Sequence, residues 1–250
     1  MANAEQFQFG DFTRENYSRL VRLAKQTYVF RRFTDYSPSE RFVLWRHDVD
    51  FSPQAAVKMA EREAAENVVA TYFVLLHSDF YNLLERDVTN CVRRLVQLGH
   101  DVGLHFDPEY DQVSDEPALV AGLTRERRLL EEVVSRPVTT FSFHNPNERT
   151  AVWNAPEYAG MVNAAASYFY TGVSFCSDSN GYWRRRRLED VLTAASDERL
   201  QVLTHPEMWQ DEPMSPLQRV HRCIDGRALK TKRSYADLLK NNHRLNIDDQ

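Results

Sequence analysis

The chain has 250 residues, of which 42% are hydrophobic and 27% are charged, and its formal net charge is -5 at pH 7. This composition is typical of a globular protein and excludes a disordered chain, a collagen-like chain and a small disulfide-stapled protein. No stretch approaches the roughly 20 apolar residues of a membrane span. Apart from the run 184–187, no block of Lys and Arg predicts a nucleic-acid partner.

The three cysteines, Cys91, Cys176 and Cys223, are widely spaced and form no CxxC pair. Neither a zinc ribbon nor a redox motif is therefore predicted. The N-terminal residues lack the basic start and apolar run of a secretory signal, and both observations favour the cytoplasm. No repeat or linker divides the sequence, so we expect residues 1–250 to form a single domain.

Strands and helices alternate in the first half of the chain. The mostly apolar run 42–49 predicts a buried strand. Ser52 and Pro53 supply the N-cap and first position of a helix that continues to Glu66. The same alternation then predicts a strand at 68–76, a helix at 83–98, a strand at 101–106, and a helix that Ser114 or Asp115 caps and that ends at Val134.

The second half of the chain is less regular. A strand is predicted at 138–144, a strand at 168–175, a helix at 188–196 and a strand at 200–205. The last 40 residues are polar and predicted to be helical, with a frayed tail over 241–250. Strand–helix alternation implies a parallel sheet wrapped by helices, either open or closed into a barrel.

Such folds place their chemistry at the carboxyl ends of the strands. Five of the eight histidines close a predicted strand, whereas chance placement would scatter them. These are His47, His77, His105, His144 and His205. Histidine nitrogens and carboxylate oxygens bind zinc and related divalent ions. A nearby carboxylate, such as Asp48 or Asp50, can serve as a general base, and a histidine as a general acid.

These residues resemble a divergent branch of the polysaccharide deacetylase family, also called the NodB homology domain or carbohydrate esterase family 4. Its strand-end DxD motif matches Asp48-Val49-Asp50, and its GHEIGNHTxxH motif matches GHDVGLHFDPE over 99–109. Weaker matches are ATYFV at 70–74 for ATFFV, HNPN at 144–147 for RxPY, and VLTH at 202–205 for LxLH. The resemblance covers roughly residues 45–205, which leaves 206–250 as a C-terminal helical extension.

The resemblance implies an α/β fold, a distorted and incomplete (β/α) barrel, and a divalent transition metal, with zinc expected. It implies that Asp48 is the catalytic base and His205 the general acid. It also implies that Asp50 and His105 are metal ligands. Members of the family remove acetyl groups, mostly from N-acetylated sugars.

The third metal ligand stays open, because the second family histidine is Glu109 here. His144 stands where the family has an arginine that braces the base. It could pair with Asp48 or bind the metal, and we favour metal binding. Glu109 and Asp107 are the alternatives.

Four residues are expected to contact substrate, although some have structural alternatives. They are Asp107, Asn147, Asp178 and Trp209. Asn147 replaces the family tyrosine, Asp178 lies in a polar loop, and Trp209 could stack on a sugar or belong to the core. The arginine run 184–187 could start a solvated helix or bind a diphosphate.

We therefore predict a metal-dependent hydrolase that removes an acetyl or related acyl group from an N-acetylated sugar. A nucleotide sugar or a lipid-linked intermediate of surface-polysaccharide biosynthesis is the expected substrate. The alternative is a catalytically silent sugar-binding or scaffolding relative, since the HxxxH and RxPY features are lost. The sequence does not indicate the oligomeric state.

Overall fold

A computed structural model describes residues 2–247 of the chain. The helices are α1 (Ala2–Gln6), α2 (Arg14–Lys25), α3 (Pro53–Ala65), α4 (Arg86–Gln97), α5 (Glu116–Val134), α6 (Ser167–Thr171), α7 (Leu188–Ala194) and α8 (Pro216–Asn241). The strands are β1 (Val29–Arg31), β2 (Phe42–Val49), β3 (Thr71–Leu75), β4 (Asp101–Phe106), β5 (Thr140–Phe143), β6 (Glu157–Tyr158), β7 (Met161–Asn163), β8 (Ser174–Ser177) and β9 (Arg199–Thr204). Short 3-10 turns lie at Phe9–Phe12, Thr150–Val152, Ser179–Gly181 and Pro206–Met208.

All nine strands belong to one sheet. Its order is β6-β7-β5-β4-β3-β2-β9-β8, and β1 pairs with the first part of β2. Every strand pair is parallel except β6–β7. Within residues 2–247 no pairing joins β6 to β8, so the sheet stays open. The predicted α/β class and incomplete (β/α) barrel are therefore confirmed.

Strand β2 is buried along its whole length and presents a different environment on each face. Val43 and Trp45 belong to the larger apolar core, whereas Phe42 and Leu44 belong to a smaller one. Since side chains alternate along a strand, Arg46 and Asp48 continue the face of Leu44. His47 continues the opposite face.

The face that carries His47 contains a buried polar network centred on Glu63 of α3. His47 Nε2 lies 2.7 Å from Glu63 Oε1, and the Tyr72 hydroxyl donates to Oε2 at 2.7 Å. The Tyr17 hydroxyl also donates to Glu63, and Thr204 Oγ1 lies 2.7 Å from His47 Nδ1. These contacts satisfy groups that would otherwise be buried without partners, so His47 links α2 and α3 to the sheet strands β2 and β9.

The helix starts follow the cap residues. Ser52 Oγ accepts from the Ala55 amide at 3.2 Å, and Pro53 occupies the first turn of α3. Asp115, rather than Ser114, caps α5 by accepting from the Ala118 amide at 2.8 Å. The first four predicted helices and the first four predicted strands all form. The last 40 residues contain the long helix α8.

One part of the prediction needs correction, and another is only partly described. The strand predicted at 168–175 is wrong, because residues 167–171 form α6 and β8 begins only at Ser174. Phe169 of α6 packs edge-on against Phe33. Its side chain therefore belongs to the smaller apolar core and not to a paired strand. The predicted fraying at 241–250 falls partly outside the described residues. No helix within residues 2–247 is both long and apolar enough to cross a bilayer.

Candidate active site

The carboxyl ends of the central strands surround a cavity of about 760 Å³. Six of the predicted site residues line it: Asp48, Asp50, His105, Asp107, His144 and His205. The parallel order of β9, β2, β3, β4 and β5 brings these side chains together although they are far apart in sequence. This agrees with the rule that open α/β sheets bind ligands beyond their carboxyl edge.

Asp50, His105 and His144 form a compact triangle of possible metal ligands. Asp50 Oδ1 lies 3.3 Å from His105 Nε2 and 3.6 Å from His144 Nδ1, and the two nitrogens are 3.3 Å apart. Tetrahedral bonds of about 2.0–2.2 Å place ligand atoms roughly 3.4 Å from one another. The donor types and their separations therefore fit a zinc-sized cation.

The burial and ionisation of the Asp50 carboxylate are also suited to a bound cation. Its Oδ1 atom is buried and has no conventional hydrogen-bond partner among the described residues. Burial alone raises the pKa of the Asp50 carboxyl, but His105 and His144 outweigh that effect and hold this pKa well below its usual range. An ionised, buried oxygen without a hydrogen bond is the condition that a bound cation satisfies.

Neighbouring groups orient both imidazoles. The β4–β5 register pairs His105 with Ser142, and Ser142 Oγ lies 2.8 Å from His105 Nδ1. The other ring nitrogen, Nε2, therefore points toward Asp50 and His144. The Asn145 amide group lies 2.7 Å from His144 Nε2. Asn145 has a φ of 46°, a left-handed conformation that Asn tolerates better than most residues. Such outer contacts fix the tautomer and direction of a ligating histidine.

Neither alternative third ligand belongs to this triangle in the described part of the chain. Glu109 is exposed, and its Oε1 atom lies 3.4 Å from the side-chain nitrogen Nδ2 of Asn147. Asp107 Oδ1 accepts from the Glu109 amide at 2.9 Å and so forms a turn after β4. The geometry thus favours His144 over both carboxylates.

Asp48 lies next to the triangle and is held by Arg46, which the sequence reasoning missed. Arg46 Nη2 donates to Asp48 Oδ1 at 2.6 Å and to Oδ2 at 2.7 Å, and both side chains are 7% exposed. Asp48 Oδ2 is 3.6 Å from His105 Nε2. His144 therefore does not need to brace the base, because an arginine on the same strand does so.

Gly103, within the GHDVGLH stretch, makes room for this ion pair. A Cβ atom at Gly103 would lie 2.6 Å from ring carbons of Phe73. The Phe73 ring in turn supports Arg46, whose guanidinium carbon lies 4.6 Å from the ring centroid. A cation over an aromatic face is stabilised by the ring quadrupole, so Gly103 indirectly fixes the position of Asp48.

His205 faces the cavity and is held from behind by Asp178. His205 Nδ1 lies 2.7 Å from Asp178 Oδ1, and the His205 backbone amide donates to the same carboxylate at 3.1 Å. Burial acts to lower the pKa of His205, but the charge and hydrogen bond of Asp178 raise it to about 10. Its Nε2 atom lies 3.9 Å from Asp50 Oδ2.

Two expected substrate contacts are corrected. Asp178 and Trp209 are fully buried and do not line the cavity. Trp209 Nε1 donates to Asp178 Oδ2 at 2.9 Å, while its ring packs against Phe12 and Tyr17. Both residues therefore support His205 rather than face a sugar.

The other two expected contacts, Asp107 and Asn147, differ in position. Asp107 lines the cavity, whereas Asn147 is exposed and its side-chain oxygen accepts from the Arg149 amide. The sequence reasoning also missed Glu207, a fully buried residue that lines the cavity. Neither of its carboxylate oxygens has a partner among the described residues, and burial raises its pKa well above the usual range.

No protein-family model matches the chain, and no curated protein does. The chain is similar to solved structures of carbohydrate esterase family 4. The peptidoglycan deacetylase PdaC from Bacillus subtilis is 14% identical with a TM-score of 0.47, and the match covers 82% of this chain and 99% of that one. A family 4 acetyl xylan esterase from Clostridium thermocellum, in complex with a cobalt ion, is 16% identical with a TM-score of 0.43 over 76% of this chain and 84% of the other.

A wild-type family 4 pseudoenzyme from Bacillus anthracis is 14% identical with a TM-score of 0.44 over 79% of this chain. The match covers 63% of that protein, so the chain spans less than two thirds of its length.

Proposed function

We propose that the protein is a metal-dependent hydrolase that removes an acetyl or related acyl group from an N-acylated sugar. One observation carries the proposal: a carboxylate, Asp48, and an imidazole, His205, flank the triangle of Asp50, His105 and His144 in one cavity. A base, an acid and a metal-binding set are the parts that amide hydrolysis at neutral pH requires.

Asp50, His105 and His144 would hold the metal, for which zinc is the expected identity. A divalent ion bound there would polarise the acyl carbonyl and stabilise the negative charge that develops on its oxygen. The two imidazoles and the carboxylate would supply three ligand atoms, which would leave coordination positions for water and substrate.

The protein groups account for the protons. Asp48 accepts a proton from the attacking water as the water oxygen bonds to the acyl carbon. Arg46 keeps the Asp48 carboxylate in place during this transfer. His205, which Asp178 keeps protonated, donates its proton to the sugar nitrogen as the carbon–nitrogen bond breaks. The products are the free carboxylic acid and an amino sugar.

A catalytically silent sugar-binding protein is the second candidate, and the Arg46–Asp48 pair is the observation that favours it. Arg46 donates to both oxygens of Asp48, so an attacking water would have to share an Asp48 oxygen with the guanidinium. In that candidate the cavity binds an acylated sugar without turnover.

Metal analysis and an acyl-release assay test the proposal together. The untagged protein and Asp50→Ala are analysed for metal by mass spectrometry, and zinc, cobalt and manganese are used for reconstitution. We expect about one ion per wild-type chain and none in the variant. Wild-type protein should release acetate from N-acetylated sugars, and Asp48→Asn should keep the metal but lose turnover. Metal binding without acetate release from any acylated sugar would favour the silent candidate.

A further inference from the structure

In the arginine run 184–187, Arg186 and Arg187 form ion pairs within the fold, whereas Arg184 and Arg185 form none among the described residues. Arg186 pairs with Asp197 at 2.6 Å, and Arg187 pairs with Asp11 at 2.7 Å. Arg184 and Arg185 are exposed and form no salt bridge among residues 2–247. Two guanidinium groups that are adjacent in sequence thus carry uncompensated positive charge.

These arginines line a separate cleft of about 230 Å³. The arginine cleft is defined by Phe175, Cys176, Ser177, Ser179, Arg184, Arg185 and Arg186. No Asp or Glu lines it. Two serine hydroxyls, those of Ser177 and Ser179, lie 2.6 Å apart beside the arginines. Asp197, the partner of Arg186, lies outside this lining and leaves Arg184 and Arg185 without an ion pair among the described residues. Guanidinium groups and hydroxyls are suited to bind phosphate oxygens.

The arginine cleft adjoins the candidate active site. Phe175 and Ser179 line both the cleft and the larger cavity that contains Asp50 and His205. One extended ligand can therefore place an acylated sugar in the larger cavity and a phosphate group in the cleft. A sugar bonded to phosphate through its anomeric oxygen has this arrangement.

We propose that the substrate is an N-acylated sugar bonded to a phosphate or diphosphate, and that Arg184 and Arg185 bind this anionic group. The inference rests on the proposed function and narrows its substrate class. A nucleoside diphosphate and a polyprenyl diphosphate share the chemistry that the arginine cleft recognises. Each guanidinium donates hydrogen bonds to phosphate oxygens. Since the hydroxyls of Ser177 and Ser179 are hydrogen-bonded to each other, one of the two offers a further donor at the cleft wall.

A binding measurement tests the arginine cleft without requiring turnover. The full chain is titrated calorimetrically with pyrophosphate, with and without a chelator, so that binding to a metal at Asp50 is separated from binding to the arginines. We expect Arg184→Gln/Arg185→Gln to weaken binding by about tenfold or more, because charge-assisted hydrogen bonds are lost.

A matched control removes two cations from another cavity. Lys58 and Arg222 are exposed and line a second cavity of about 440 Å³. Lys58→Gln/Arg222→Gln lowers the net charge by the same amount and should leave pyrophosphate affinity unchanged. Equal affinity in the wild type and in Arg184→Gln/Arg185→Gln, or an equal loss in the control, would overturn the inference.

Turnover separates a failure of the inference from a failure of the proposed function. The substrates compared are N-acetylglucosamine, its 1-phosphate and its uridine diphosphate conjugate. We expect kcat/KM to be higher for the phosphorylated sugars, and this preference to disappear in Arg184→Gln/Arg185→Gln. Equal turnover of all three would reject the arginine cleft but keep the hydrolase. Binding of pyrophosphate that depends on Arg184 and Arg185, without acetate release, would keep the cleft and reject the hydrolase.

The source of the phosphate is resolved by two further titrations. Uridine diphosphate represents a nucleotide sugar, and geranyl diphosphate represents a lipid-linked sugar. Whichever of the two binds more tightly than pyrophosphate identifies the group beyond the phosphates. Binding of either one that does not depend on Arg184 and Arg185 would count against the inference.

Discussion

Arg46 donates to both carboxylate oxygens of Asp48 from two residues earlier on the same strand. Side chains at positions i and i+2 of a strand share one face, so β2 supplies both the proposed base, Asp48, and the group that holds it. Only 7% of each side chain is exposed. The pair is therefore largely withdrawn from water, and its two members depend on each other.

The first prediction concerns the stability of this pair. Arg46→Gln should lower the free energy of unfolding by about 3–5 kcal/mol, because it leaves the buried Asp48 charge without its partner. The double variant Arg46→Gln/Asp48→Asn should recover part of that loss, since no buried charge remains. Urea denaturation of the wild type, both single variants and the double variant measures the coupling. Additive losses would show that the two side chains do not depend on each other.

The second prediction distinguishes the possible third ligands. His144→Ala should lose the metal, whereas Glu109→Gln and Asp107→Asn should retain it, because only His144 belongs to the triangle with Asp50 and His105. Metal content after dialysis, measured beside the wild type, checks this. Retention by His144→Ala combined with loss in either carboxylate variant would reassign the ligand.

The third prediction concerns the group that orients His105. Ser142→Ala removes the hydroxyl 2.8 Å from His105 Nδ1 and should weaken metal affinity by about 10–100-fold. The fold should persist, since Ser142 and Ala differ by one oxygen atom. Competition with a chromogenic chelator gives the affinity, and Ser142→Thr, which keeps a hydroxyl, serves as the control. Unchanged affinity in Ser142→Ala would show that the contact does not orient the ligand.

The fourth prediction concerns pH dependence. Burial acts to lower the pKa of His205, and Asp178 overcomes this effect and raises it to about 10. Asp178→Asn removes the negative charge, so the pKa of His205 should fall and its proton should be lost at lower pH. If His205 is the general acid, the basic limb of the kcat profile should move toward neutrality. Trp209→Phe, which keeps the Asp178 charge, should leave that limb in place; movement in both variants would point to a general loss of structure.

The fifth prediction concerns Glu126 on α5, whose side chain is 1% exposed and whose pKa burial raises to about 8. The unfolded chain releases this proton near pH 4.5, the ordinary pKa of a glutamate, whereas the folded chain retains it to higher pH. The protonated carboxyl therefore contributes its full stabilisation below about pH 4.5, and this contribution to the free energy of unfolding is lost as the pH rises toward 8.

Glu126→Gln cannot titrate, so it does not lose this stability as the pH rises. Its stability relative to the wild type should therefore rise with pH, by at most about 1.4 kcal/mol per pH unit. Urea midpoints measured at about pH 5 and about pH 8 provide the test. Glu132→Gln, at an exposed position of the same helix, is the control and should show no such trend. A constant difference across this range would mean that Glu126 is ionised in the folded protein.

Local sequence signals were sufficient for much of the fold. The apolar run of β2, the Ser52 cap of α3 and the Asp115 cap of α5 all act within a few residues. The aromatic run that begins at Tyr168 misled the prediction because β propensity reflects packing as much as backbone preference. Tyr168 instead stacks on Tyr36, with ring centroids 5.7 Å apart.

The site was only partly predictable for a different reason. Arg46 could have been identified, because strand alternation alone places it on the same face as Asp48. The contact of Asp178 with His205 depends on the register of β8 against β9, which pairs Ser177 with Leu203. The burial of Trp209 depends on Phe12 and Tyr17, from N-terminal elements that the sequence analysis did not assign. These relationships arise from tertiary packing and leave no local pattern.

Strand β2 has a consequence for how this protein can change by mutation. Trp45, His47 and Val49 face the helices, whereas Arg46 and Asp48 face the cavity. A saturation library over 45–49, sorted once for soluble expression and once for turnover, should therefore divide with a period of two. Odd positions would be restricted through folding alone. Arg46 and Asp48 would be restricted by turnover and also by folding, because loss of either one leaves the other charge buried without its partner. Paired substitutions at 46 and 48 are therefore the route by which this strand can acquire new chemistry.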